Sequence, residues 1–325
     1  MEEVSVNEYA AELVEGMIDQ SEELKIDCIE LDNGTMVIDC GVNVTGSYEA
    51  GAIFTEACMG GLATATISYA TFEDLSLPAI NVQTNHPAIA CLGAQKAGWQ
   101  ISVEKFFALG SGPARALALK PKKTYEKIDY KDDSEVGVIA LETRTIPNED
   151  VADFIADACG IESEDLYILV APTASLVGSV QIAGRIVENG IFKLSEGLHY
   201  DVKRVKYGAG VSPIAPVYPD DTRAMGITND MPMYGGRTFY AIEPEEGDNL
   251  EEITKKIPSS SSRDYGKPFF DIFKDAGYDF YKIDPGIFAP AEVMINDLKT
   301  GKVYRAGKVN VEVLKQSIGL QDLGI

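Results

Sequence analysis

Apolar and polar positions along the chain follow two periods, one typical of helices and one typical of strands. Apolar residues at helical spacing predict an opening amphipathic helix over residues 7–24, with Asn7 as its cap. Two β-type runs, KIDCIEL and TMVIDCG, then lie on either side of Asn33-Gly34, a pair that supplies the positive φ angles of a tight hairpin turn. The chain therefore begins with a predicted helix and a predicted hairpin.

The same two periods predict further elements, and their order defines the fold class. Helices are predicted over 48–58, from Pro87 to Gly98, in NEDVADFIADACG and over 175–189, and strands in LATATISY, LPAINVQT, EVGVIALE and DLYILVAPT and near 237–243, 291–296 and 302–306. Interleaved elements with hairpin signals favour an α+β fold over a uniform doubly wound sheet. The polar stretch 125–135 is the best candidate boundary. We therefore expect an N-terminal α+β domain over 1–135 and a C-terminal α+β domain over 136–325.

Charge narrows the possible partners. The 325 residues include 28 Lys and Arg against 51 Asp and Glu, a net charge of −23, which nucleic-acid phosphates and anionic lipids would repel. Small molecules or proteins are the expected partners. The acidity fits either solubility or a salt-rich cytoplasm that screens self-repulsion. No apolar run is long enough to span a bilayer, and the first residues lack a signal-peptide pattern, so we expect a cytoplasmic protein without membrane contact.

Metal and nucleotide chemistry is not expected from the sequence. The five cysteines contain no C-x-x-C pair, and the two histidines, His86 and His199, are too few for a His-based metal site. Phosphate-loop, nucleophile-elbow and H-E-x-x-H motifs are all missing. The sequence therefore predicts a protein without a metal cofactor and gives only weak signals of a nucleotide site.

A glycine-rich segment, GSGPAR at 110–115, begins like a dinucleotide-binding fingerprint but has Arg115 in place of the third glycine. Backbone N–H groups at a helix start, with the Ser111 hydroxyl and the Arg115 guanidinium, are suited to hold an anion such as phosphate. An ordinary capped helix explains the same residues equally well. Both interpretations stay open at this point.

Two isolated charges, Arg185 and Glu188, lie in the otherwise uncharged run from Leu166 to Phe192. A separation of three residues places both side chains on one face of the predicted helix. An apolar environment raises the pKa of a carboxyl group and a neighbouring guanidinium opposes that change, so the pair suits a general base. A structural ion pair is the alternative, and spacing alone slightly favours it.

Glu56 is a second isolated carboxylate, within the apolar stretch from Ala50 to Phe72. A carboxylate on an apolar helix is expected to meet an Arg, a Lys, a backbone N–H or a cationic ligand. Lys96, in GAQKAGW, is either a solvated lysine or a phosphate contact. Neither residue is specific for a function by itself.

Five long strings together resemble the methenyltetrahydromethanopterin cyclohydrolase family. They are EACMGGLAT at 56–64, HPAIACLGAQKAGWQ at 86–100, GSGPARALALKPK at 110–122, VAPTASLVGSVQIAGRIVE at 170–188 and YDFYKIDPGIFAPAEV at 278–293. The resemblance covers nearly the whole chain. It implies a cytoplasmic homotrimer of two-domain α+β subunits, with a substrate cleft between the domains and no metal or nucleotide cofactor.

The resemblance also implies a reaction and roles for the candidate residues. The reaction is reversible hydrolysis of the methenyl bridge of tetrahydromethanopterin to the formyl derivative. The R-x-x-E pair of the family falls on Arg185 and Glu188. The resemblance therefore implies that Glu188 transfers the protons and that Arg185 orients its carboxylate and adjusts its pKa. The resemblance also suggests contacts to the anionic tail of the coenzyme, for which the candidates are Lys96, Ser111 and Arg115. Glu56 is a candidate residue of the pocket wall. A non-catalytic pterin carrier and a related pterin formyltransferase are the alternatives.

Overall fold

In the computed structural model, which describes residues 4–321 and 323, the chain folds into two compact units. The first extends to Ala65 and resumes from Thr84 to Gln181, and the second contains Thr66–Gln83 and the chain from Ile182 onward. The expected boundary at residues 135 and 136 therefore lies inside the first unit. The physical reason is that the polar stretch 125–135 leads directly into a central strand of that unit instead of leaving it.

The helices and strands of the described residues have the following bounds. The α-helices are α1 (Val6–Asp19), α2 (Ser21–Leu24), α3 (Tyr48–Cys58), α4 (Ala114–Ala118), α5 (Lys122–Ile128), α6 (Glu149–Cys159), α7 (Leu176–Ala183), α8 (Ile186–Phe192), α9 (Asp221–Asp230), α10 (Leu250–Lys256), α11 (Phe269–Asp275) and α12 (Val311–Ile318). The strands are β1 (Asp27–Glu30), β2 (Met36–Asp39), β3 (Ala63–Phe72), β4 (Leu75–Thr84), β5 (Trp99–Val103), β6 (Phe106–Ser111), β7 (Gly137–Glu142), β8 (Leu166–Val170), β9 (Val205–Pro213), β10 (Arg237–Ile242), β11 (Glu292–Asp297) and β12 (Val303–Gly307).

Two mixed sheets, each of six strands within the described residues, confirm the α+β class. The first has the order β1-β2-β8-β7-β6-β5, in which β2, β8 and β7 are parallel and the outer pairs are antiparallel. The second has the order β12-β11-β10-β9-β4-β3, with β10 and β11 parallel. The mixture of parallel and antiparallel pairs separates this fold from a uniform doubly wound sheet.

Both faces of the first sheet are buried, which explains why β7 and β8 are almost continuously apolar. On one side Val138 and Leu169 join a core with Val14 of α1 and Phe54 of α3. On the other side their neighbours along the strands join a core with Ile155 of α6. Each fully buried side chain of this size contributes about 1.5–3 kcal/mol to folding, so the central strands form the rigid part of this unit.

The cap of the first helix lies two residues before the expected position, and α1 begins at Val6. Ser5 is the cap, and its hydroxyl accepts a hydrogen bond from the Glu8 N–H. Asn7 lies inside α1, where its amide donates to the Asp132 carboxylate (2.7 Å) and accepts from the Val138 N–H (3.0 Å). The prediction of Asn7 as the cap was therefore wrong, because a buried tertiary network uses its side chain.

Most of the local elements predicted from the sequence are confirmed. These include the β1-β2 hairpin, in which Gly34 has a φ of 87°, as well as α3, α6 and the strands β3, β4, β7 and β8. Three strands were missed. No strand is predicted from the sequence for the β5-β6 hairpin or for the glycine-rich β9.

Candidate active site

The candidate pair Arg185 and Glu188 lies where two helices meet. The expected single helix over 175–189 ends at Ala183, and α8 begins at Ile186. Gly184 precedes the break, and glycine is a poor helix former. Arg185 is the residue that precedes α8, with φ −79° and ψ 5°, and Glu188 is in the first turn of α8. The two residues are thus held within one turn, but not along one continuous helix.

Small residues determine where α8 lies on the second sheet. A Cβ atom at Gly208 of β9 would come within 2.9 Å of Val187, and one at Gly190 would overlap the hydroxyl of Tyr240. That hydroxyl donates a hydrogen bond of 2.8 Å to the Val187 carbonyl. Glycine at both positions therefore lets the helix approach the sheet closely enough for this bond to form. The position of Glu188 follows from this packing.

Glu188 is buried, with 7% of its surface exposed. The Asn189 amide, in the orientation that gives both of its ends partners, donates to Glu188 Oε2 and to the Arg185 carbonyl, each at 3.2 Å. The N-terminal turn of a helix also favours negative charge electrostatically. The geometry therefore holds a carboxylate in a fixed orientation with little access to bulk water.

Sequence reasoning missed Asn189 and Lys193. Neighbouring residues on a helix do not normally face each other, so the sequence gave no signal for the contact of Asn189 with Glu188. Lys193 directly follows α8, and its ammonium donates to the carbonyl of Gly286 (3.1 Å). Burial lowers the pKa of Lys193, and the negative charge of Asp284 opposes that change. The turn that accepts this hydrogen bond is the DPG sequence at 284–286, which lies within a string of the family resemblance.

Ser111 and Arg115 together contact the end of one helical segment in the first unit. Arg115 has no exposed surface, and its guanidinium donates to the carbonyls of Ala94 (3.0 Å), Leu92 (3.3 Å) and Lys120 (2.9 Å). The hydroxyl of the buried Ser111 donates to the Gln95 carbonyl (2.8 Å). Carbonyls at the C-terminal end of a helix need such donors. These hydrogen bonds give both side chains a structural role at this helix end, and the anion site stays a prediction.

Lys96 and Glu56 occupy partly exposed positions in the same unit. Lys96 ends the helical segment Ala88–Gln95 and is half-buried. Glu56 lies on α3, where its carboxylate accepts a hydrogen bond of 2.7 Å from the Ala65 N–H. Burial raises the pKa of Glu56, and the Ala65 hydrogen bond opposes that rise. A backbone N–H, one of the four expected kinds of partner, therefore pairs with this carboxylate.

Two absences concern only the part of the chain that the structure describes. Within residues 4–321 and 323, no three His, Cys, Asp or Glu side chains are grouped so as to hold a metal ion. In the same residues, no helix has the length and apolar character needed to cross a membrane.

Comparison with known proteins identifies the family of this chain. A family model described as Cyclohydrolase (MCH) matches residues 5–318, and the chain therefore belongs to this family. A protein of Methanocaldococcus jannaschii named methenyltetrahydromethanopterin cyclohydrolase is 59% identical over 322 residues, which cover 98% of this chain and 100% of that protein. Proteins of the same name from Methanococcus maripaludis and Methanothermobacter marburgensis are 56% and 57% identical, with the same coverage of both chains.

Proposed function

We propose that this chain catalyses the reversible hydrolysis of 5,10-methenyltetrahydromethanopterin to 5-formyltetrahydromethanopterin, with Glu188 as the group that accepts and returns the proton. The relatives similar over their full length are named for this cyclohydrolase activity. The structural observation that carries the proposal is the buried Glu188 carboxylate, oriented by Asn189 at the start of α8.

In the first step, water adds to the cationic carbon of the methenyl bridge. A bond forms between the water oxygen and this carbon, and one water proton passes to Glu188, which leaves a neutral tetrahedral adduct. Removal of this proton as the bond forms prevents the build-up of positive charge on the attacking oxygen. A carboxylate with restricted orientation accelerates this step because it does not need to be positioned again for each turnover.

In the second step, the protonated Glu188 returns its proton to the leaving nitrogen. The bond between carbon and this nitrogen breaks, the carbon–oxygen double bond of the formyl group forms, and the hydroxyl proton is released to solvent. The products are the formyl compound on the pterin-ring nitrogen and one proton, and Glu188 is again a carboxylate. Arg185 supplies positive charge beside this group and favours its return to the charged form.

The decisive experiment follows the absorbance of the methenyl chromophore with wild-type protein, Glu188→Gln and Glu246→Gln. Glu246 is an exposed carboxylate of the same unit and serves as the matched control. We expect turnover by wild type and Glu246→Gln, and a loss of roughly a hundredfold or more in kcat for Glu188→Gln, the scale of general acid–base catalysis. Full activity of Glu188→Gln would contradict the assignment. Binding without turnover by wild type would favour the carrier, and dependence on a second substrate would favour the formyltransferase.

The proposal includes a homotrimer in the cytoplasm that needs no metal or other cofactor. Support for assembly comes from β3, a ten-residue edge strand without charged side chains, on which Tyr69 is 73% exposed and Ile67 37%. In a chain of charge −23, such a strand is a place where copies can approach without repulsion. Light scattering should give three times the chain mass of 35.1 kDa, and Tyr69→Glu should reduce it. An unchanged mass for Tyr69→Glu would exclude β3 from the contact.

A further inference from the structure

Tyr240 contacts the backbone of α8 immediately before Glu188. It lies on β10 with no exposed surface, and its hydroxyl donates a hydrogen bond of 2.8 Å to the Val187 carbonyl. That carbonyl belongs to the peptide group that joins Val187 to Glu188. A carbonyl oxygen has two lone pairs, so it can accept this bond in addition to one within the helix. The hydroxyl therefore acts directly on the backbone that carries the Glu188 side chain.

Two contacts on the sheet side fix how α8 is rotated about its axis. A Cβ atom at Gly208 of β9 would come within 2.9 Å of Val187, and one at Gly190 would overlap the Tyr240 hydroxyl. The hydroxyl thus lies against the helix between Val187 and Gly190, which are about one turn apart. Successive residues of a helix are separated by about 100° around its axis. Because Val187 is held toward the sheet, the direction of Glu188 is held as well.

A small rotation of α8 would displace the Glu188 carboxylate enough to affect proton transfer. Side-chain ends lie about 5–6 Å from a helix axis, so a rotation of about 10° moves them by about 1 Å. A general base needs hydrogen-bond contact with the proton that it accepts, and an error of about 1 Å can reduce a rate about a hundredfold. Asn189 contacts Glu188, but it lies on the same helix and rotates with it. A contact from outside the helix is needed to fix the rotation.

We propose that Tyr240 is a positioning residue for Glu188, and that its hydroxyl, through the Val187 carbonyl, sets the direction in which the carboxylate points. Both residues belong to the second unit, so the arrangement is complete within one compact body. This inference rests on the proposed function, because it assigns the residue that places the proton-transferring group of that reaction. Since Tyr240 is buried beneath α8, loss of its hydroxyl should change the rate of the chemical step more than substrate affinity.

The test compares Tyr240→Phe with Tyr234→Phe, a matched control in the same unit. Tyr234 also has no exposed surface, and its hydroxyl donates a hydrogen bond of 2.7 Å to the Lys267 carbonyl. Both variants keep the ring and lose one buried donor, so both should lose a similar amount of stability in urea unfolding. We expect kcat for the methenyl substrate to fall roughly tenfold in Tyr240→Phe with little change in KM, and both constants to stay near wild type in Tyr234→Phe.

A double variant shows whether Tyr240 acts through Glu188. Residues that act as one unit have non-additive effects, so Tyr240→Phe/Glu188→Gln should be about as slow as Glu188→Gln alone. Two losses that multiply would overturn the inference. Equal losses of kcat in Tyr240→Phe and Tyr234→Phe, or an unchanged kcat in Tyr240→Phe, would overturn it too.

Infrared spectroscopy needs no turnover and therefore distinguishes this inference from the proposed function. The difference spectrum between wild type and Glu188→Gln contains the carboxyl stretching bands of Glu188, and the same difference in the Tyr240→Phe background shows these bands without the hydroxyl. We expect shifted or broadened bands in Tyr240→Phe and unchanged bands in Tyr234→Phe. Shifted bands together with full activity of Glu188→Gln would refute the proposed role of Glu188 and leave its positioning by Tyr240 standing. Unchanged bands in Tyr240→Phe together with an inactive Glu188→Gln would overturn the positioning and leave the proposed function standing.

Discussion

Asp230 should make the second unit more stable at acidic than at alkaline pH. It has no exposed surface, and its carboxylate accepts hydrogen bonds from the Phe269 N–H (2.8 Å) and the Ser317 hydroxyl (2.5 Å). Burial raises the pKa of Asp230 from its ordinary value of 3.8 to about 7, although the two hydrogen bonds oppose the rise. The folded protein therefore holds a proton at pH values where the unfolded chain has lost it.

The direction and size of the effect follow from this difference. Well below the ordinary pKa of 3.8 both states bind the proton, so Asp230 adds no pH dependence to stability there. Between pH 4 and 7 the unfolded state loses the proton first, so the free energy of unfolding falls as the pH rises. Each pKa unit corresponds to about 1.4 kcal/mol, so the total loss above pH 7 is on the order of 4 kcal/mol.

Asp230→Asn removes the titration and preserves the shape of the site. The amide oxygen still accepts from the Phe269 N–H, and the amide nitrogen donates to the Ser317 hydroxyl. Urea unfolding at pH 5 and pH 8, at one fixed potassium concentration, should show that the variant gains roughly 2–4 kcal/mol relative to wild type between the two values. Asp157→Asn, an exposed carboxylate, is the control. The same stability difference at both pH values would refute the buried, proton-binding state of Asp230.

Four further predictions follow from the contacts described above. Arg115→Met should lower the free energy of unfolding by roughly 3 kcal/mol or more, because three carbonyls lose their donor, and a rise in KM without destabilisation would support the anion-site interpretation instead. Gly190→Ala should lower the free energy of unfolding by about 1–3 kcal/mol and reduce kcat, because the added methyl group displaces α8. The double variant Gly190→Ala/Tyr240→Phe should recover part of the stability in urea unfolding and part of kcat in activity assays. Activity and trimer mass should increase with potassium, since salt screens the charge of −23, and equal values at low and high salt would contradict this. Dialysis against EDTA should leave kcat unchanged, and a loss restored by a divalent metal would disprove metal independence.

Local patterns predicted much of the fold because they depend on near neighbours. The Asn33-Gly34 turn and the helix over 48–58 need only the residues beside them. The strand β9 was missed because Gly208 and Gly210 resemble a loop in the sequence. In the structure these glycines make room for Val187 and Ile186 of α8. Their role depends on a helix about twenty residues away, which no local pattern reveals.

For the candidate site too, the sequence indicated individual residues but not the distant contacts that surround them. Arg185 and Glu188 stood out as isolated charges in an apolar run, and the structure places Glu188 in a buried position. Ser111 and Arg115 lie near each other, as their spacing suggests, but both donate to carbonyls of the segment 88–95 or its surroundings. The sequence alone does not distinguish a guanidinium that binds an anion from one that completes a helix end, because both need the same residue type.

The carboxylates at the ends of the parallel strands illustrate why environment decides function in so acidic a chain. Asp39, the last residue of β2, accepts hydrogen bonds from the N–H groups of Gly41 (2.9 Å), Val42 (2.6 Å) and Asn43 (2.8 Å). Its oxygens are occupied by the loop that they stabilise, so a ligand would have to displace backbone donors. Glu142 ends β7 at the same edge, and its carboxylate accepts a hydrogen bond from the Thr173 hydroxyl. Two acidic residues that each end a parallel strand are thus held in different ways, Asp39 by backbone N–H groups of the next loop and Glu142 by the hydroxyl of Thr173.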